Sequence, residues 1–214
     1  MPSTSRIQIK SAALENNVNF VRNLIGPDVI LSAVIKGNAY GHGTHIIVPA
    51  LEQYGVNHFC VYSSVEARDA FKYKSDNSTL VIMGYLLPND YKWAIEKEVE
   101  FYVSDISELK QAISTAKEMS KKAIIHLYIE TGMNRTGLGI LQLKKSIPII
   151  IANNKHLVIR GFTSHFAGAE SIANHLRVIK QFSVFKKRVK LLNSRGIFAD
   201  IKHIASSAAT ISYP

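Results

Sequence analysis

The sequence is poor in cysteine and has no long apolar run. Cys60 is the one cysteine among 214 residues, which excludes an internal disulfide and a cysteine-based zinc site and fits a reducing compartment. The apolar stretches are far shorter than the roughly 18 residues that a membrane span needs. The opening segment also lacks the apolar core of a signal peptide. We therefore expect a soluble, cytoplasmic protein that does not bind membranes.

Acidic residues are scarce as well. The 16 Asp and Glu residues stand against 26 Lys and Arg, for a net charge of +10, a balance that would suit a nucleic-acid-binding protein. The basic residues are scattered, however. Their densest run, Lys186–Arg188 with Lys190, shares a segment with apolar residues at helical spacing: Val178, Phe182, Phe185, Val189 and Leu192. Because the charged outer face of an amphipathic helix explains this run, we expect no nucleic-acid partner.

Two kinds of segment alternate along the chain. Short apolar runs rich in β-branched residues occupy 28–35, 58–62, 80–83, 101–103, 123–129, 157–162 and 201–205. Amphipathic segments at about 11–25, 44–54, 64–73, 89–98, 105–120, 140–153 and 173–195 separate them. Continuous apolarity is typical of strands buried on both faces of a parallel sheet. The alternation is typical of repeated βα units.

This pattern, with a further strand predicted at Arg6–Lys10, favours an α/β fold: a (β/α)8 TIM-type barrel of parallel strands that lacks its last βα unit. A doubly wound open sheet is the alternative. In a barrel the chemistry lies at the carboxyl ends of the strands. Polar residues stand at several of these ends: Lys36, Ser104, Glu130, His165 and Ser207. Asp105 and Glu108 have the spacing of a capping box that begins a helix.

The strongest chemical signal is the segment 33–43, in which a buried strand runs into Lys36 and then into a turn with three glycines before a helix. A lysine at the end of a buried strand is partly desolvated, which lowers the pKa of its amine and frees it to form a Schiff base. Tyr40 adds a hydroxyl within reach of an anionic group, and the glycines permit tight turns near a ligand. A second interpretation of these residues stays open: Lys36 extends into solvent and the glycines only form a loop.

This segment resembles, nearly letter for letter, the pyridoxal phosphate (PLP) attachment motif of alanine racemases. The resemblance spans almost the whole chain. Further segments are similar to the family's entry strand and first helix, its Asp-Thr-Gly-Met-x-Arg-x-Gly loop, its Thr-His-Phe-Ala strand end and its His-x-Ala-Asn-Ser-Ala segment. In this sequence they are 7–17, 130–137, 162–167 and 203–209.

The resemblance implies a role for each of five residues. Lys36 would hold PLP covalently and act as the base that takes or returns the α-proton on one face of the substrate. Tyr40 and Ser207 would bind the cofactor phosphate, and His165 would lie against its pyridine ring. Arg135 would bind the substrate carboxylate with its planar guanidinium, near the phenolate oxygen of the cofactor. We expect the five residues to converge on one concave face.

Structural roles are the alternatives at three of these positions. Arg135 could anchor its loop through a salt bridge, His165 could be a core histidine, and Ser207 could cap a turn. Five further histidines show no metal-ligand spacing, so we expect no metal site and interpret them as structural or surface residues: His45, His58, His126, His156 and His175.

The sequence departs from the family pattern at three positions and at its end. Tyr128 stands where many members have a lysine, sometimes carbamylated, that orients the arginine. Glu130 replaces the usual aspartate, and Ser206 replaces the usual asparagine. The chain stops at Pro214, before the eighth strand, an arginine at the ring nitrogen and the C-terminal β-domain, whose tyrosine serves the partner subunit. Residues 1–214 are therefore interpreted as one incomplete PLP-binding barrel domain of a protein that is a homodimer at full length.

The resemblance implies an isomerase that interconverts L- and D-alanine for peptidoglycan synthesis. The isolated chain lacks the second acid/base and has two unpaired strand edges. It is expected to self-associate and to racemise alanine far more slowly than a complete enzyme. Two alternatives stay open: a racemase of another small amino acid such as serine, and a non-catalytic PLP-binding barrel similar to the PLP homeostasis proteins.

Overall fold

The computed structural model describes residues 7–213. The chain divides into two compact units, Met1–Tyr85 and Leu86–Pro214, and each has its own parallel strands and helices. None of the helices that residues 7–213 form combines the length and the apolar character that crossing a membrane requires.

The described residues of the first unit form three strands and four helices. In chain order they are α1 (Ser11–Ile25), β1 (Ala33–Val34), α2 (Lys36–Tyr40), α3 (Thr44–Gln53), β2 (His58–Val61), α4 (Ser64–Ala70) and β3 (Thr79–Ile82). β1 pairs with β2, and β2 pairs with β3, all in parallel; Val34 lies beside Cys60, and Cys60 lies beside Val81. The sheet order of this unit therefore follows the chain order, as predicted for a barrel.

The described residues of the second unit form four strands and five α-helices, with 3-10 helices at Asn154–His156 and Ile172–Asn174. In chain order they are α5 (Asp90–Glu96), β4 (Glu100–Val103), α6 (Ile106–Glu118), β5 (Ala123–Tyr128), α7 (Ile140–Ala152), β6 (Leu157–Thr163), α8 (His175–Asn193), β7 (Ile201–His203) and α9 (Ser207–Ser212). β4 to β7 are parallel neighbours in that order. The register shifts between Ile125 and His126, where Arg160 is the extra residue on β6.

The central strands are buried on both faces, as their continuous apolar runs predict. All four residues of β2 are buried, and five of the six in β5 are buried. Burial of α8 follows one stripe, Val178, Phe185, Val189 and Leu192, which leaves its lysines on the solvent side. Phe182, predicted on this stripe, is 42% exposed instead.

Two strand predictions need correction at the start of the chain. The predicted strand at Arg6–Lys10 is wrong for residues 7–10, which form no regular structure, and Arg6 lies outside the described residues. Ile7 is 68% exposed, so the Ile7–Ile9 alternation lacks the buried face that would stabilise a strand. The run at 28–35 yields only the two residues of β1.

Candidate active site

Lys36 lies two residues after β1, close to the strand end where the sequence predicts it. The N–H of Ile35 donates to the carbonyl of Cys60 on β2 (2.8 Å), so the chain stays attached to the sheet up to the residue before the lysine. Ile35 is buried, Lys36 is half-buried and Tyr40 is 64% exposed. Lys36 therefore follows a fixed strand end and keeps part of its surface exposed.

The backbone after Lys36 winds into one left-handed turn. φ is +62° at Gly37, +54° at Asn38, +52° at Ala39 and +54° at Tyr40. Glycine tolerates this region, but for other L-residues a left-handed helix is unfavourable by about 1–2 kcal/mol per residue. Such strain persists only where the surroundings hold it, and it clusters at functional sites.

Hydrogen bonds close this turn from its C-terminal side. The N–H of Gly41 donates to the carbonyl of Gly37 (2.9 Å), and the N–H of Gly43 donates to the carbonyl of Asn38 (3.0 Å). The side-chain oxygen of Asn38 accepts the N–H of Thr44 (2.8 Å). Since Thr44 begins α3, the turn is attached to the helix that the sequence places after it. We call Lys36–Gly43 the Lys36 turn.

Arg135 lies exposed in the segment 130–137 that follows β5, called here the Arg135 loop. Glu130 folds this loop on itself: Oε1 accepts the N–H of Gly132, and Oε2 accepts the N–H of Asn134 (3.0 Å). Burial acts to raise the pKa of Glu130, but the backbone N–H groups outweigh it, and the pKa is lowered. The glutamate that replaces the family's aspartate therefore organises the loop as an ionised group.

Tyr128, at the position of the family's lysine, is buried at the end of β5. Its ring packs against Gly137, where an added Cβ would lie 2.5 Å from the ring, so this contact requires the last glycine of the motif. The hydroxyl of Tyr128 is buried and has no hydrogen-bond partner among residues 7–213. The substitution thus places an aromatic ring against the Arg135 loop at Gly137.

His165 follows β6 and is half-buried, and Gln181 of α8 holds the backbone from His165 to Ala167. Nε2 of Gln181 donates to the carbonyl of His165 (3.1 Å), and its Oε1 accepts the N–H of Ala167 (3.0 Å). The hydroxyls of Thr131 and Ser164 lie 2.8 Å apart. These bonds bring the Arg135 loop and the strand end of His165 together within the second unit.

Ser207 is the first residue of α9, but its neighbour caps the helix. Oγ of Ser206 accepts the N–H of Ala209 (3.4 Å), and Ser207 is exposed. The N–H of Ser164 donates to the carbonyl of His203 (3.1 Å), so the ends of β6 and β7 are adjacent. The capping role that is the alternative for Ser207 therefore belongs to Ser206.

Ser104, at the end of β4, has a structural role. Its N–H and Oγ donate to Oε2 of Glu108 at 2.5 and 3.0 Å. Oδ1 of Asp105 accepts the N–H of Glu108 (2.9 Å). Half of the predicted capping box therefore forms, because the carboxylate of Glu108 binds Ser104 rather than the N–H of Asp105. Burial raises the pKa of Glu108.

A chain of polar groups that the sequence does not reveal runs through the interior of the second unit. Oε2 of Glu100 lies 2.6 Å from Nε2 of His126, and Nδ1 of His126 lies 3.2 Å from Nε2 of His203. Nε of Arg160 donates to Oε1 of Glu100 (3.1 Å), and the hydroxyl of Thr163 lies 3.2 Å from Nδ1 of His203. His126, interpreted from the sequence as structural or surface, is fully buried and connects this chain.

Two residues that hold the predicted site segments, Glu66 and Gln181, are not among the predicted ones. The spacing of Ser63 and Glu66 is that of a capping box, which both residues form at the start of α4. Gln181 lies on the buried stripe of α8 between Val178 and Phe185. A polar residue on an apolar face is the signal that marks it in the sequence.

The donors of the predicted residues fit PLP by their chemistry. Lys36 supplies an accessible primary amine for the aldehyde, and Tyr40 and Ser207 supply exposed hydroxyls for a phosphate. Arg135 supplies an exposed guanidinium for an anion. Each follows a parallel strand of its own unit, on the side where barrels bind ligands. Within residues 7–213, no group of three or more His, Cys, Asp or Glu residues could hold a metal ion.

The chain matches known proteins along nearly its whole length. Residues 9–214 match the family described as "Alanine racemase, N-terminal domain". An alanine racemase of Borreliella burgdorferi is 32% identical over 215 residues, which cover 100% of this chain and 56% of that protein.

Solved structures of alanine racemases share the fold. The enzyme from Bacillus anthracis with bound L-Ala-P has a TM-score of 0.83 and 27% identity, over 94% of this chain and 51% of that one. The enzyme from Bartonella henselae with covalently bound pyridoxal phosphate has a TM-score of 0.85 and 24% identity, over 95% of this chain and 57% of that one. These similarities confirm the predicted fold class. The chain spans about half the length of the curated relatives it matches, and it belongs to the alanine racemase family through that family's N-terminal domain.

Proposed function

We propose that this chain is the PLP-binding part of a racemase that interconverts L- and D-alanine. The observation that carries the proposal is Lys36, presented by a left-handed turn at the end of β1, in a chain that belongs to the alanine racemase family. The L-Ala-P bound to the Bacillus anthracis relative supports alanine as the substrate.

The predicted site residues have distinct tasks in this proposal. Lys36 would hold PLP covalently through its amine and would take or return a proton at the α-carbon of the substrate. The hydroxyls of Tyr40 and Ser207 would bind the phosphate, His165 would pack against the pyridine ring, and Arg135 would bind the substrate carboxylate with its planar guanidinium. When bound, PLP supplies the electron sink that makes the α-proton acidic.

These tasks depend on how firmly the backbone presents the side chains. A general base must lie within hydrogen-bond reach of the proton it moves, and small displacements of a catalytic group reduce rates strongly. The left-handed turn fixes the backbone after Lys36, Glu130 folds the loop of Arg135, and Gln181 fixes the backbone of His165. The strand ends therefore supply the rigid support that this chemistry needs.

We further propose that the complete protein is a cytoplasmic homodimer that supplies D-alanine for the cell wall, with residues 1–214 in one barrel domain. The low cysteine content supports a reducing compartment. A racemase needs an acid/base group on each face of the α-carbon, and Lys36 serves one face only. The family pattern, in which a tyrosine of the partner subunit serves the other face, supports the dimer.

Covalent labelling tests the role of Lys36. The 214-residue chain is mixed with PLP, reduced with borohydride, digested and analysed by mass spectrometry. We expect a pyridoxyl group on Lys36 and none at this position in Lys36→Arg, which keeps the charge but offers no primary amine. Lys202→Arg, at an exposed lysine of β7, is the matched control and should keep the label. Label on other lysines with none on Lys36 would refute the assignment.

Racemisation by the chain alone is a separate expectation. A positioned general acid or base typically contributes about 10²–10⁴-fold to a rate. Since Lys36 serves one face of the α-carbon only, D-alanine formation by this chain alone should stay far below the turnover of an ordinary enzyme, which is on the order of 10 s⁻¹. A chiral assay of D-alanine measures it. Ordinary turnover by a monomeric preparation would contradict the need for a second acid/base from a partner.

A further inference from the structure

The start of the left-handed Lys36 turn has a partner outside the turn. As at the start of any helix, its first N–H groups find no carbonyl within the helix itself. The N–H of Gly37, the residue after Lys36, donates to Oε1 of Glu66 (2.7 Å). Glu66 belongs to the first turn of α4, the helix after β2. A side chain from the neighbouring βα unit therefore closes the end of the turn at which Lys36 stands.

The other oxygen of the same carboxylate holds the end of β2. Oε2 of Glu66 accepts the N–H groups of Tyr62 (2.8 Å) and Ser63 (3.1 Å). Charge-assisted hydrogen bonds of this kind are stronger than neutral ones. Because Oε1 binds Gly37, one carboxylate joins the carboxyl ends of β1 and β2, the two strands that pair beside Lys36.

Helix capping does not account for the bond to Gly37. In a capping box, the serine side chain accepts one N–H of the helix and the glutamate accepts the N–H of the serine. Both bonds exist here, from the N–H of Glu66 to Oγ of Ser63 (3.3 Å) and from the N–H of Ser63 to Glu66. The cap uses Oε2 alone, and Oε1 is left to bind the Lys36 turn.

We infer that Glu66 is a positioning residue for Lys36: its carboxylate anchors the N–H of Gly37, the first left-handed residue of the turn, and so fixes the backbone that presents the lysine. The inference rests on the proposed function for the identity of what Lys36 binds, but not for the anchoring itself. Burial acts to raise the pKa of Glu66, and the N–H groups of Gly37, Ser63 and Tyr62 outweigh it. The lowered pKa keeps the carboxylate ionised at neutral pH, which is the form that can accept all three bonds.

Hydrogen exchange of the Lys36 turn tests the anchoring without any cofactor. In Glu66→Gln, the amide nitrogen cannot accept an N–H and the remaining oxygen is neutral, so the bond to Gly37 is either lost or loses its charge assistance. We expect amide exchange in a peptide that covers 37–43, measured by mass spectrometry, to rise about tenfold, the effect of losing a charge-assisted hydrogen bond on local opening. Unchanged exchange in this peptide would overturn the inference.

Two control variants separate positioning from general stability. Ser63→Ala removes the hydroxyl half of the capping box and leaves the carboxylate on Gly37. Glu52→Gln weakens another carboxylate of the same unit, which accepts the N–H of Ser75 (2.8 Å) and the hydroxyl of Ser78 (2.5 Å) and whose pKa is also lowered. Both controls should leave exchange at 37–43 unchanged. A rise in Ser63→Ala equal to that in Glu66→Gln would show that Glu66 acts only through the cap and would overturn the inference.

A shorter carboxylate keeps the test decisive if Glu66→Gln fails to fold. Glu66→Asp retains the charge but is one methylene shorter, so it cannot reach both strand ends. We expect increased exchange at 37–43 in a chain whose circular dichroism is that of the wild type. Wild-type exchange in Glu66→Asp would contradict the bridging geometry.

Labelling with PLP links the anchor to the task of Lys36. After a short borohydride pulse, pyridoxyl on Lys36 should be lower in Glu66→Gln than in the wild type, because a less firmly held backbone presents the amine less often in the reactive geometry, and should not change in Ser63→Ala or Glu52→Gln. If wild-type Lys36 takes no label, the proposed function fails, and exchange alone decides the role of Glu66. If Lys36 is labelled equally in the wild type and Glu66→Gln and exchange is also equal, the inference fails and the proposed function stands.

Discussion

The Lys36 turn of the first unit and the His165 strand end of the second are held by different means. The Lys36 turn keeps a strained left-handed backbone and is anchored by Glu66, an ionised side chain that is partly exposed. The His165 strand end keeps an ordinary backbone and is held by Gln181, which is neutral and 1% exposed. The comparison shows that the two units support the predicted residues with bonds of unequal sensitivity to solvent and pH.

The interior of the second unit extends this contrast. Glu100, His126 and His203 form a line of hydrogen bonds between β4, β5 and β7, and Glu100 and His126 are buried. Unpaired buried charges and polar groups are far more unfavourable than exposed ones. Variants in the second unit should therefore affect the free energy of unfolding most, and variants at the Lys36 turn should act locally.

The largest effect is expected from Glu100→Ala. It removes the buried carboxylate that binds both His126 and Arg160, which leaves a ring nitrogen of the fully buried His126 without this partner and a cavity in the interior, at about 3 kcal/mol in total. Asp200→Asn is the matched control, because Asp200 binds the same Arg160 with a side chain that is 61% exposed. It should change the free energy of unfolding by about 1 kcal/mol or less. Urea denaturation measures the free energy of unfolding of both variants. Equal losses would show that the buried carboxylate contributes no more than the exposed one.

Gln181→Met should have the next largest effect. Methionine fills a similar volume but removes the acceptor of the buried N–H of Ala167 and a donor to the part-buried carbonyl of His165, and an unsatisfied buried group is unfavourable by about 1–3 kcal/mol. Gln142→Met is the control, since Gln142 accepts the N–H of Gly139 (3.2 Å) at an exposed helix start and should contribute about 1 kcal/mol or less. A loss at Gln181 no greater than that at Gln142 in urea denaturation would show that the His165 strand end is held by other contacts.

The sequence predicts most strands and helices but not where the first strand begins. The runs that become β2 to β6 are short, apolar and bounded by helical segments, so their limits follow from the pattern. At 28–35 the pattern is equally apolar, yet Val29 and Ile30 are 51% and 52% exposed. Only Ala33 and Val34 pair with β2, and pairing depends on a neighbour that the local sequence does not describe.

The sequence predicts the site residues whose own functional groups would bind a ligand. It does not predict the residues whose side chains hold the backbone of another segment. Lys36, Tyr40 and Arg135 stand out as an amine, a hydroxyl and a guanidinium in recognisable motifs. Glu66 and Gln181 bind N–H and carbonyl groups of segments 29 and 16 residues away. The tertiary fold decides which backbone groups such a side chain can reach. The sequence therefore marks Glu66 only by a capping pattern, and Gln181 only as a polar residue on an apolar helix face.

Added methyl groups distinguish crowding in the second unit from backbone strain in the first. A Cβ at Gly161 would lie 2.1 Å from Nδ1 of His126, and overpacking of a core typically destabilises by about 1–3 kcal/mol. A Cβ at Gly37 would meet nothing within 4 Å, and only its φ of +62° opposes the substitution, at about 1–2 kcal/mol. We expect Gly161→Ala to lower the melting temperature more than Gly37→Ala. The opposite order would show that the turn, and not the interior, is the less tolerant region.

Acid should open the Lys36 turn before the His165 strand end, and this is the smallest effect expected. Because the pKa of Glu66 in the folded chain lies below its ordinary value of 4.5, its bonds stabilise the turn above that value and are lost as the pH falls through the lowered pKa. Gln181 carries no titrating group. Exchange at 37–43, corrected for its intrinsic pH dependence, should rise a few-fold, equivalent to about 1 kcal/mol or less for a partly exposed charge. Exchange at 164–167 should not rise over the pH range in which Glu66 titrates.

The Glu66→Gln variant shows whether the pH dependence of exchange at 37–43 comes from Glu66. The variant should show raised exchange at 37–43 that no longer varies over the acid range, whereas Glu52→Gln should keep the pH dependence of the wild type at these residues. The pH window is limited to conditions in which circular dichroism shows a folded chain, so that global unfolding does not contribute. Simultaneous opening of 37–43 and 164–167 within that window would mean that the two regions share one support, and the contrast between a pH-sensitive anchor and a neutral one would be wrong.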